Sequence, residues 1–380
     1  MPDKYIYLDN AAAAAPQQPT IDFFTQAALN CYANQEAIHQ QAYLIRQKLE
    51  IAAKELASAL TGDASAQVVW GSSGTDLFNL LSHAPLLSKG NIVISAEHPA
   101  LQAALKRTGA ELRMVPLLNG KTDLTALSSM ADRNTVLVAI HHVQSETGIV
   151  QDLSGIRKVT NECAPQALFF SDTIQSAAKM PIPWVDAGLD IISVSGHKLG
   201  APGGAALILR NGKDSVRKNL AEFFATSRSR EYLAGRPDPA IALTLAHCVK
   251  TCAADAAKVL SAIQTMNLQL RERLVHIKLT GRSKIRFTVP PEDASPFILH
   301  LTLPGYEGAV LVRMLAERGF SISPGSACSA ESNLPSPVLT AMGYNKKDAF
   351  SALRISFWRN NTPEEISSFA DALESVIKDY

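Results

Sequence analysis

The sequence predicts an α/β protein in which a mainly parallel seven-stranded sheet, flanked by helices, is joined to a smaller α+β domain. Apolar residues make up 47% of the 380 residues and charged residues 19%, which is typical of a globular protein and not of a disordered chain. From residue 68 onwards, short apolar runs alternate with helix-length segments, as in a parallel sheet covered on both faces. After residue 255 this alternation is lost, which indicates an α+β unit.

Seven short apolar runs bounded by turn residues are the strand candidates of the sheet. They lie at 68–70, 91–95, 112–116, 135–140, 167–171, 190–194 and 205–209. Apolar residues at helical spacing predict helices within 21–29 and 38–60 and a long helical stretch from Ala240 towards Ile277. Beyond it we expect strands at 284–289 and 297–303 and helices at 308–317, 335–342 and 363–377.

We expect two domains, because 380 residues exceed what a single hydrophobic core usually supports. The large domain is predicted to span residues 16–255, and the small domain residues 256–380 together with the N-terminal segment 1–15. The assignment of the N-terminal segment rests on the family resemblance described below.

Charge and cysteine content exclude several classes of function. The net charge is +1 and no dense stripe of lysine or arginine is present, so neither nucleic acid nor an anionic membrane is expected as a partner. There is no signal-peptide pattern and no apolar run of membrane-spanning length, so we expect a cytoplasmic protein. The five cysteines lack a Cys-x-x-Cys pair, which argues against a disulfide framework and against a metal site.

Lys198 is the first candidate for chemistry. It lies on a glycine-bounded turn, residues 193–204, between two apolar runs that are expected to be buried strands. Lysine is rarely buried unless paired, and a desolvated amine is suited to Schiff-base formation with a carbonyl. The alternative is an exposed loop lysine, which is the commoner fate of this residue type.

Other polar residues also follow predicted strands, where ligands bind in parallel sheets. The segment 72–75 offers a hydroxyl and a helix N-terminus, which can hold a phosphate but can equally be a simple helix cap. His98 follows the second strand, where a lone histidine is more often structural than catalytic. Asp172 ends an apolar strand, so it should have a cationic partner, for which a pyridinium nitrogen is one candidate.

Together these features resemble the fold-type I pyridoxal-phosphate enzymes of the class V aminotransferase group, and within it the cysteine desulfurases. The matching motifs run nearly end to end and in the family's order. They are Tyr7-Leu8-Asp9-Asn10-Ala11-Ala12, Ser73-Gly74-Thr75-Asp76, Glu97-His98, Ser145-Glu146-Thr147-Gly148, Asp172-Thr173-Ile174-Gln175-Ser176, Ser195-Gly196-His197-Lys198, Gly325-Ser326-Ala327-Cys328-Ser329 and Leu353-Arg354-Ile355-Ser356.

The resemblance implies a cofactor, pyridoxal 5'-phosphate, bound to Lys198 as a Schiff base. It implies that Asp172 keeps the pyridine nitrogen protonated, that Gln175 bonds the ring hydroxyl, and that His98 stacks on the ring as acid and base. It also implies a phosphate site formed by Gly74, Thr75, Ser195 and His197.

The resemblance further implies that L-cysteine is the substrate and that Cys328 accepts its sulfur as a persulfide. Arg354 would hold the substrate carboxylate, and Asn10 would also lie at the substrate. The loop after Cys328 has the length found in the long-loop desulfurases, which pass sulfur to protein acceptors for iron-sulfur clusters or other products. A homodimer with active sites near the interface is expected.

Two departures from the family pattern concern candidate cofactor contacts. Ser145 stands where the family usually has asparagine, so a contact on the ring-hydroxyl side is either lost or bridged by water. Arg236 stands where a threonine usually reaches the phosphate bound to the partner subunit, and we expect Arg236 to replace that contact. A third departure is Pro202-Gly203-Gly204, which lacks the lysine that often follows the proline.

Two alternatives remain open from the sequence. One is a related carbon-sulfur or carbon-selenium lyase that releases sulfide or selenide without a carrier cysteine. The other is a non-catalytic paralogue used as a binding module. The cysteine in its long serine-rich loop favours the carrier mechanism, and the joint presence of Lys198, Asp172, His98 and Arg354 argues against a mere scaffold.

Overall fold

The central sheet carries the fold. The computed structural model describes residues 5–212, 214–225, 237–279, 283–325 and 334–380. Its strands, in chain order, are β1 Ile6–Tyr7, β2 Gln67–Gly71, β3 Asn91–Ile94, β4 Glu111–Met114, β5 Leu117–Leu118, β6 Lys121–Thr122, β7 Thr135–Ala139, β8 Leu168–Ser171, β9 Ile191–Ser195, β10 Ala205–Leu209, β11 Arg286–Phe287, β12 Ile298–Thr302, β13 Phe320–Ser321, β14 Ser323–Pro324 and β15 Ala352–Ser356.

The helices cover the sheets and connect the strands. They are α1 Gln18–Asn30, α2 Gln40–Thr61, α3 Gly74–Ser82, α4 Pro99–Lys106, α5 Leu124–Met130, α6 Leu153–Cys163, α7 Ser215–Ala225, α8 Pro239–Ala254, α9 Ala256–Val275, α10 Gly308–Glu317, α11 Pro337–Ala341, α12 Lys346–Phe350 and α13 Pro363–Asp379. Short 3-10 turns occur at Pro85–Lys89, Gly196–Lys198 and Pro291–Asp293.

The predicted fold class is confirmed. All seven apolar runs predicted as strands join one seven-stranded sheet in the order β2-β10-β9-β8-β7-β3-β4. The strands from β9 to β4 run parallel, whereas β10 is antiparallel to both of its neighbours. The parallel strands therefore present their carboxyl ends at one edge of the sheet, where ligands bind in such folds.

Both faces of this sheet are buried. Along β3, the side chains of Ile92 and Ile94 belong to one hydrophobic cluster, whereas Val93 between them belongs to another. Successive side chains of a strand point to opposite faces, so each face of the sheet has its own apolar layer. This explains why the strands read as unbroken apolar runs instead of alternating ones.

A second, four-stranded antiparallel sheet of order β11-β12-β15-β14 forms after the long helices. The N-terminal segment joins this part of the molecule, because β1 pairs with β13 and Asp9 bridges to Ser356 at the end of β15. The boundaries of the two predicted domains stay a prediction, but the N-terminal segment contacts the strands to which it was assigned.

The helical stretch expected from Ala240 towards Ile277 is divided into two helices. α8 ends at Ala254 and α9 begins at Ala256, with an angle of 68° between them. Asp255 at the break binds the guanidinium of Arg359 at 3.1 Å, so an ion pair to a distant loop fixes the position of the bend. Within the described part of the chain no single helix is long and apolar enough to cross a membrane, although the two helices of this bent pair together have the length and the apolar composition of a span.

Candidate active site

Lys198 lies at the carboxyl edge of the sheet and points to the N-terminal segment. β9 ends at Ser195, and the turn Gly196–Lys198 follows directly. The amine Nζ donates hydrogen bonds to the carbonyl oxygens of Ala11 and Ala12, each at 2.7 Å. The lysine is therefore neither a freely exposed loop residue nor a deeply buried one.

Asp172 directly follows the neighbouring strand β8 and is only 8% exposed. Its Oδ1 accepts hydrogen bonds from the hydroxyl of Ser193 at 2.7 Å and from the amide of Ile174 at 3.1 Å. Neither donor is a cation. A buried carboxylate held by neutral donors is suited to receive a protonated ring nitrogen.

Gln175 and Lys198 meet at the same backbone carbonyl. Gln175 Nε2 donates to the oxygen of Ala11 at 3.0 Å. Its Oε1 is buried and has no hydrogen-bond partner among the described residues. Because an unpaired buried acceptor is costly, this oxygen fits a hydroxyl donor supplied by a ligand.

The predicted phosphate residues lie around two neighbouring turns. The Ser195 hydroxyl and His197 Nδ1 are 2.8 Å apart. Desolvation, followed by the charges of Lys198 and Lys179, lowers the pKa of His197 to about 4, so the ring is neutral at pH 7. After β2, Gly74 and Thr75 form the first turn of α3, whose N-terminus is a favourable place for a phosphate.

His98 caps helix α4 and faces the same site. Its Nδ1 accepts a hydrogen bond from the amide of Ala100 at 3.2 Å, which places the proton of the neutral ring on Nε2. Desolvation lowers the pKa of His98. The charges of Asp172 and Glu97 oppose this effect, and the charge of Lys198 adds to it. Asp172 and Lys198 are thus close enough to His98 to influence its charge.

Arg354 approaches from the smaller sheet. Its side chain is almost fully buried and bonds Asp9 Oδ1 at 2.8 Å and the carbonyl oxygen of Ser145 at 3.0 Å. The hydroxyl of Ser323 completes this set at 3.1 Å. Arg354 Nε is buried and has no partner among the described residues. Asp9 belongs to the same short N-terminal segment whose carbonyls hold Lys198.

The comparisons with known proteins identify the family of the chain. Residues 6–369 match the model of the family described as Aminotransferase class-V. The chain belongs to the class-V aminotransferase family. It is 30% identical to a cysteine desulfurase IscS of Anaeromyxobacter sp. over 83% of this chain and 78% of that protein. It is 28% identical to a cysteine desulfurase IscS of Mannheimia succiniciproducens over 98% of this chain and 93% of that protein.

Solved structures share the fold over nearly the whole chain. A NifS-like protein from Rickettsia africae superposes with a TM-score of 0.83 at 22% identity, covering 99% of this chain and all of that one. A cysteine desulfurase from Thermococcus onnurineus superposes with a TM-score of 0.79 at 18% identity, covering 99% of this chain and 95% of that one. The predicted resemblance to the family is confirmed.

Enzymes of this family depend on pyridoxal phosphate, and the residues present fit it. Asp172 provides a carboxylate for the ring nitrogen, Gln175 an unpaired oxygen for the ring hydroxyl, and Lys198 an amine for the aldehyde carbon. The α3 N-terminus, Ser195 and His197 provide neutral donors for the phosphate.

Four other predicted site residues lie apart from this set or outside the described part of the chain. Asn10 is buried and donates from Nδ2 to the carbonyl of Ser356 at 3.0 Å and to Asn361 at 3.3 Å, so its amide anchors the N-terminal segment. Its predicted contact with the substrate remains a prediction. Cys328 and Arg236 lie outside the described residues, and Ser145 contributes its carbonyl oxygen to Arg354.

Three titratable side chains near the site did not stand out in the sequence. Glu97 pairs with His141 at 2.9 Å. Burial raises the pKa of Glu146 to about 7, against the hydrogen bond from Ser336 and the charge of Arg354. His300 lies opposite Arg354 on β12. Glu97 and Glu146 each lie in a family motif, Glu97-His98 and Ser145-Glu146-Thr147-Gly148. His300 lies within β12, whose pairing the sequence does not specify.

Proposed function

We propose that the chain is a pyridoxal-phosphate-dependent cysteine desulfurase, which converts L-cysteine to L-alanine and leaves the sulfur on Cys328. One observation carries the proposal. The N-terminal segment is held at Ala11 and Ala12 by the Lys198 amine and at Asp9 by the Arg354 guanidinium. A few residues of the N-terminal segment therefore contact both the Lys198 amine, which suits the cofactor, and the Arg354 guanidinium, which suits the carboxylate of an amino acid. The relatives named cysteine desulfurase support the substrate.

The cofactor-holding residues act by position and charge. When bound, pyridoxal phosphate withdraws electrons from the substrate and so weakens the bonds at its Cα. Lys198 is the covalent attachment point, and Asp172 holds the proton on the ring nitrogen. Gln175 holds the ring hydroxyl, and Thr75, Ser195 and His197 bind the phosphate.

Two groups move protons. We assign transfer of the substrate Cα proton to Lys198 Nζ, because the lone pair of a neutral amine can accept a proton. His98 carries its proton on Nε2, because the amide of Ala100 occupies Nδ1. Nε2 can donate this proton to a substrate atom and take one back, which suits a ring whose pKa is held below the ordinary value.

The substrate carboxylate binds Arg354, whose planar fork matches a carboxylate. The sulfur then passes to Cys328. The thiolate of Cys328 attacks the substrate sulfur, the carbon-sulfur bond breaks, and a sulfur-sulfur bond forms. L-cysteine and one protein thiol become L-alanine and one protein persulfide, so atoms and electrons balance without a further reductant.

An assay of two products, together with the absorption band of the cofactor, tests this function. Purified protein with L-cysteine should form alanine and a protein-bound persulfide, and it should show a visible absorption band from the cofactor. Lys198→Ala should lower alanine formation by at least about a hundredfold, because both attachment and proton transfer are lost. Cys328→Ala should abolish the persulfide, whereas the matched variant Cys163→Ala should behave as wild type.

Two results would contradict the proposal. A wild-type protein without the absorption band is not a pyridoxal-phosphate enzyme. Alanine and free sulfide formed at full rate by Cys328→Ala would identify a lyase that needs no carrier cysteine.

We further propose that the chain is a homodimer that passes its sulfur to an acceptor protein. Large apolar side chains between residues 29 and 44 are exposed, including Leu29 at 65%, Tyr32 at 71% and a fully exposed Ile38. Clusters of this kind usually mark a protein interface. We expect a second copy of the chain to cover these side chains. This agrees with the contact predicted between Arg236 and the partner subunit.

A further inference from the structure

Glu97 and His141 form a buried hydrogen-bonded pair next to the candidate proton carrier His98. Glu97 follows β3 and His141 follows β7, and these strands are parallel neighbours. Glu97 Oε1 lies 2.9 Å from His141 Nδ1 and also accepts the His141 backbone amide at 3.0 Å. The Glu97 side chain has no exposed surface, and that of His141 is 6% exposed. The pair therefore ties together two strand ends at the ligand-binding edge.

The pair is held firmly from both sides. Gln102 of α4 donates to the Glu97 carbonyl at 2.7 Å. Gln151 lies behind the imidazole, with its amide nitrogen 3.3 Å from His141 Nε2, and its oxygen accepts from Thr122 at 2.8 Å. The backbone carbonyl of Glu97 and the imidazole that contacts its carboxylate are therefore both fixed. His98 is the next residue in the chain.

The carboxylate is not fully used by these contacts. Glu97 Oε2 is buried and has no hydrogen-bond partner among the described residues. Burying a charge in this way is costly, and a purely structural link between two strands could be made by neutral groups at lower cost. The charge of the Glu97 carboxylate therefore has a role beyond linking the two strands.

We propose that Glu97 and His141 are positioning residues for His98, which fix the end of β3 and supply a buried negative charge beside the proton carrier. The inference rests on the proposed function, because it takes His98 to be the group that moves a proton. The other charged groups that face His98 are Asp172 after β8 and Lys198 after β9. Of these groups, Glu97 is the one that directly precedes His98 in the chain.

Glu97→Gln is the decisive variant, because it keeps an acceptor for the His141 amide and removes only the charge. The pKa of His98, followed by NMR titration of its ring in the wild type and assigned with His98→Gln, should fall by about a few tenths of a unit, because the charge of Glu97 raises it less than the charge of Asp172 does. The kcat for alanine formation should fall about tenfold with little change in KM, since substrate binding is untouched. The acidic limb of the pH-rate profile should shift in the same direction.

His141→Asn provides the second arm. Asparagine keeps an N–H donor for Glu97 but removes the imidazole that shares its charge, so the pKa of His98 should stay at or above the wild-type value. A role confined to stability would not separate the two variants in this way.

Thr135→Val is the matched control. The Thr135 hydroxyl donates to Asn91 at 2.7 Å, which links the same two strands at their opposite ends. This variant should lower the melting temperature as Glu97→Gln does, but it should leave the titration of His98 and the pH-rate profile unchanged.

An unchanged pKa of His98 in Glu97→Gln, with a loss of stability like that of Thr135→Val, would overturn the inference. Failure of the proposed function is visible separately, because the wild type would then lack the cofactor band or form no alanine. The titration of His98 tests the effect of the charge in either case.

Discussion

The side chain of Lys198 depends on a backbone that is distant in sequence. Its two described acceptors, the carbonyls of Ala11 and Ala12, belong to a segment whose other end is fixed by Asn10 and Asp9. These carbonyls orient the amine towards the N-terminal segment. An amine held in this way can be released for covalent attachment to a carbonyl.

His300 gives a prediction at the residue scale that does not involve catalysis. Its Nδ1 is 2.6 Å from the Thr288 hydroxyl, and burial, with a smaller effect of Arg354, lowers its pKa to about 3. An unfolded histidine titrates near about 6.5, so below that pH the unfolded chain binds a proton that the folded chain refuses. Stability is therefore lost as the pH falls from about 6.5 towards 3, by about 1.4 kcal/mol per unit.

His300→Asn, which can keep a hydrogen bond to Thr288, should remove this dependence. Between pH 7.5 and 5.5 the wild type should lose about 1.4 kcal/mol more unfolding free energy than the variant, as measured by urea titration of the holoprotein. His276→Asn, at an exposed position after α9, serves as the control and should follow the wild type. Parallel curves for wild type and His300→Asn would refute the prediction.

The sequence predicts individual site residues where the chemistry is local. Lys198 on its glycine turn and Asp172 at a strand end are recognisable because both residue types are unusual after apolar runs. Glu97 with His141 and His300 with Arg354 are different, because each pair joins residues on separate strands. Such contacts depend on strand order and register, which a single sequence does not specify.

At the scale of elements, the seven strands of the large sheet are predictable because burial on both faces leaves unbroken apolar runs. The bend between α8 and α9 is not, because neither glycine nor proline marks it and Asp255 is held by Arg359 from far along the chain. The very short strands β13 and β14 were likewise not expected, since two residues give no pattern.

The turn that carries Lys198 allows a sharp test of an element. A Cβ on Gly196 would lie 2.2 Å from the carbonyl oxygen of Gly203, a backbone atom that cannot move without opening the loop. Gly196→Ala should therefore displace Lys198 and weaken binding of pyridoxal phosphate about tenfold or more, measured from the visible band in a cofactor titration. A Cβ on Gly203 meets nothing within 4 Å, so Gly203→Ala should bind as wild type. Equal affinities in the two variants would show that the turn tolerates the clash.

At the scale of the whole molecule, two sheets meet at the candidate site, and the N-terminal segment joins them. β1 pairs with β13 beside the smaller sheet, whereas Ala11 and Ala12 reach the edge of the larger one. The distance between Lys198 and Arg354 therefore depends on how the two parts of the molecule, each with one of the sheets, are placed relative to each other. Any closure of one part on the other would change the site directly.

The exposed apolar residues of the α1–α2 region carry the last prediction. Ile38 is fully exposed in a single copy, and a homodimer would bury it. Ile38→Glu should place a charge in that interface and convert a wild-type dimer into a monomer, observed by size-exclusion chromatography with light scattering. Val185→Glu, at a residue 72% exposed between β8 and β9, changes the net charge equally and should leave the dimer intact. A wild-type monomer, or an Ile38→Glu dimer of unchanged stability, would show that the partner binds elsewhere and that the apolar residues serve another contact.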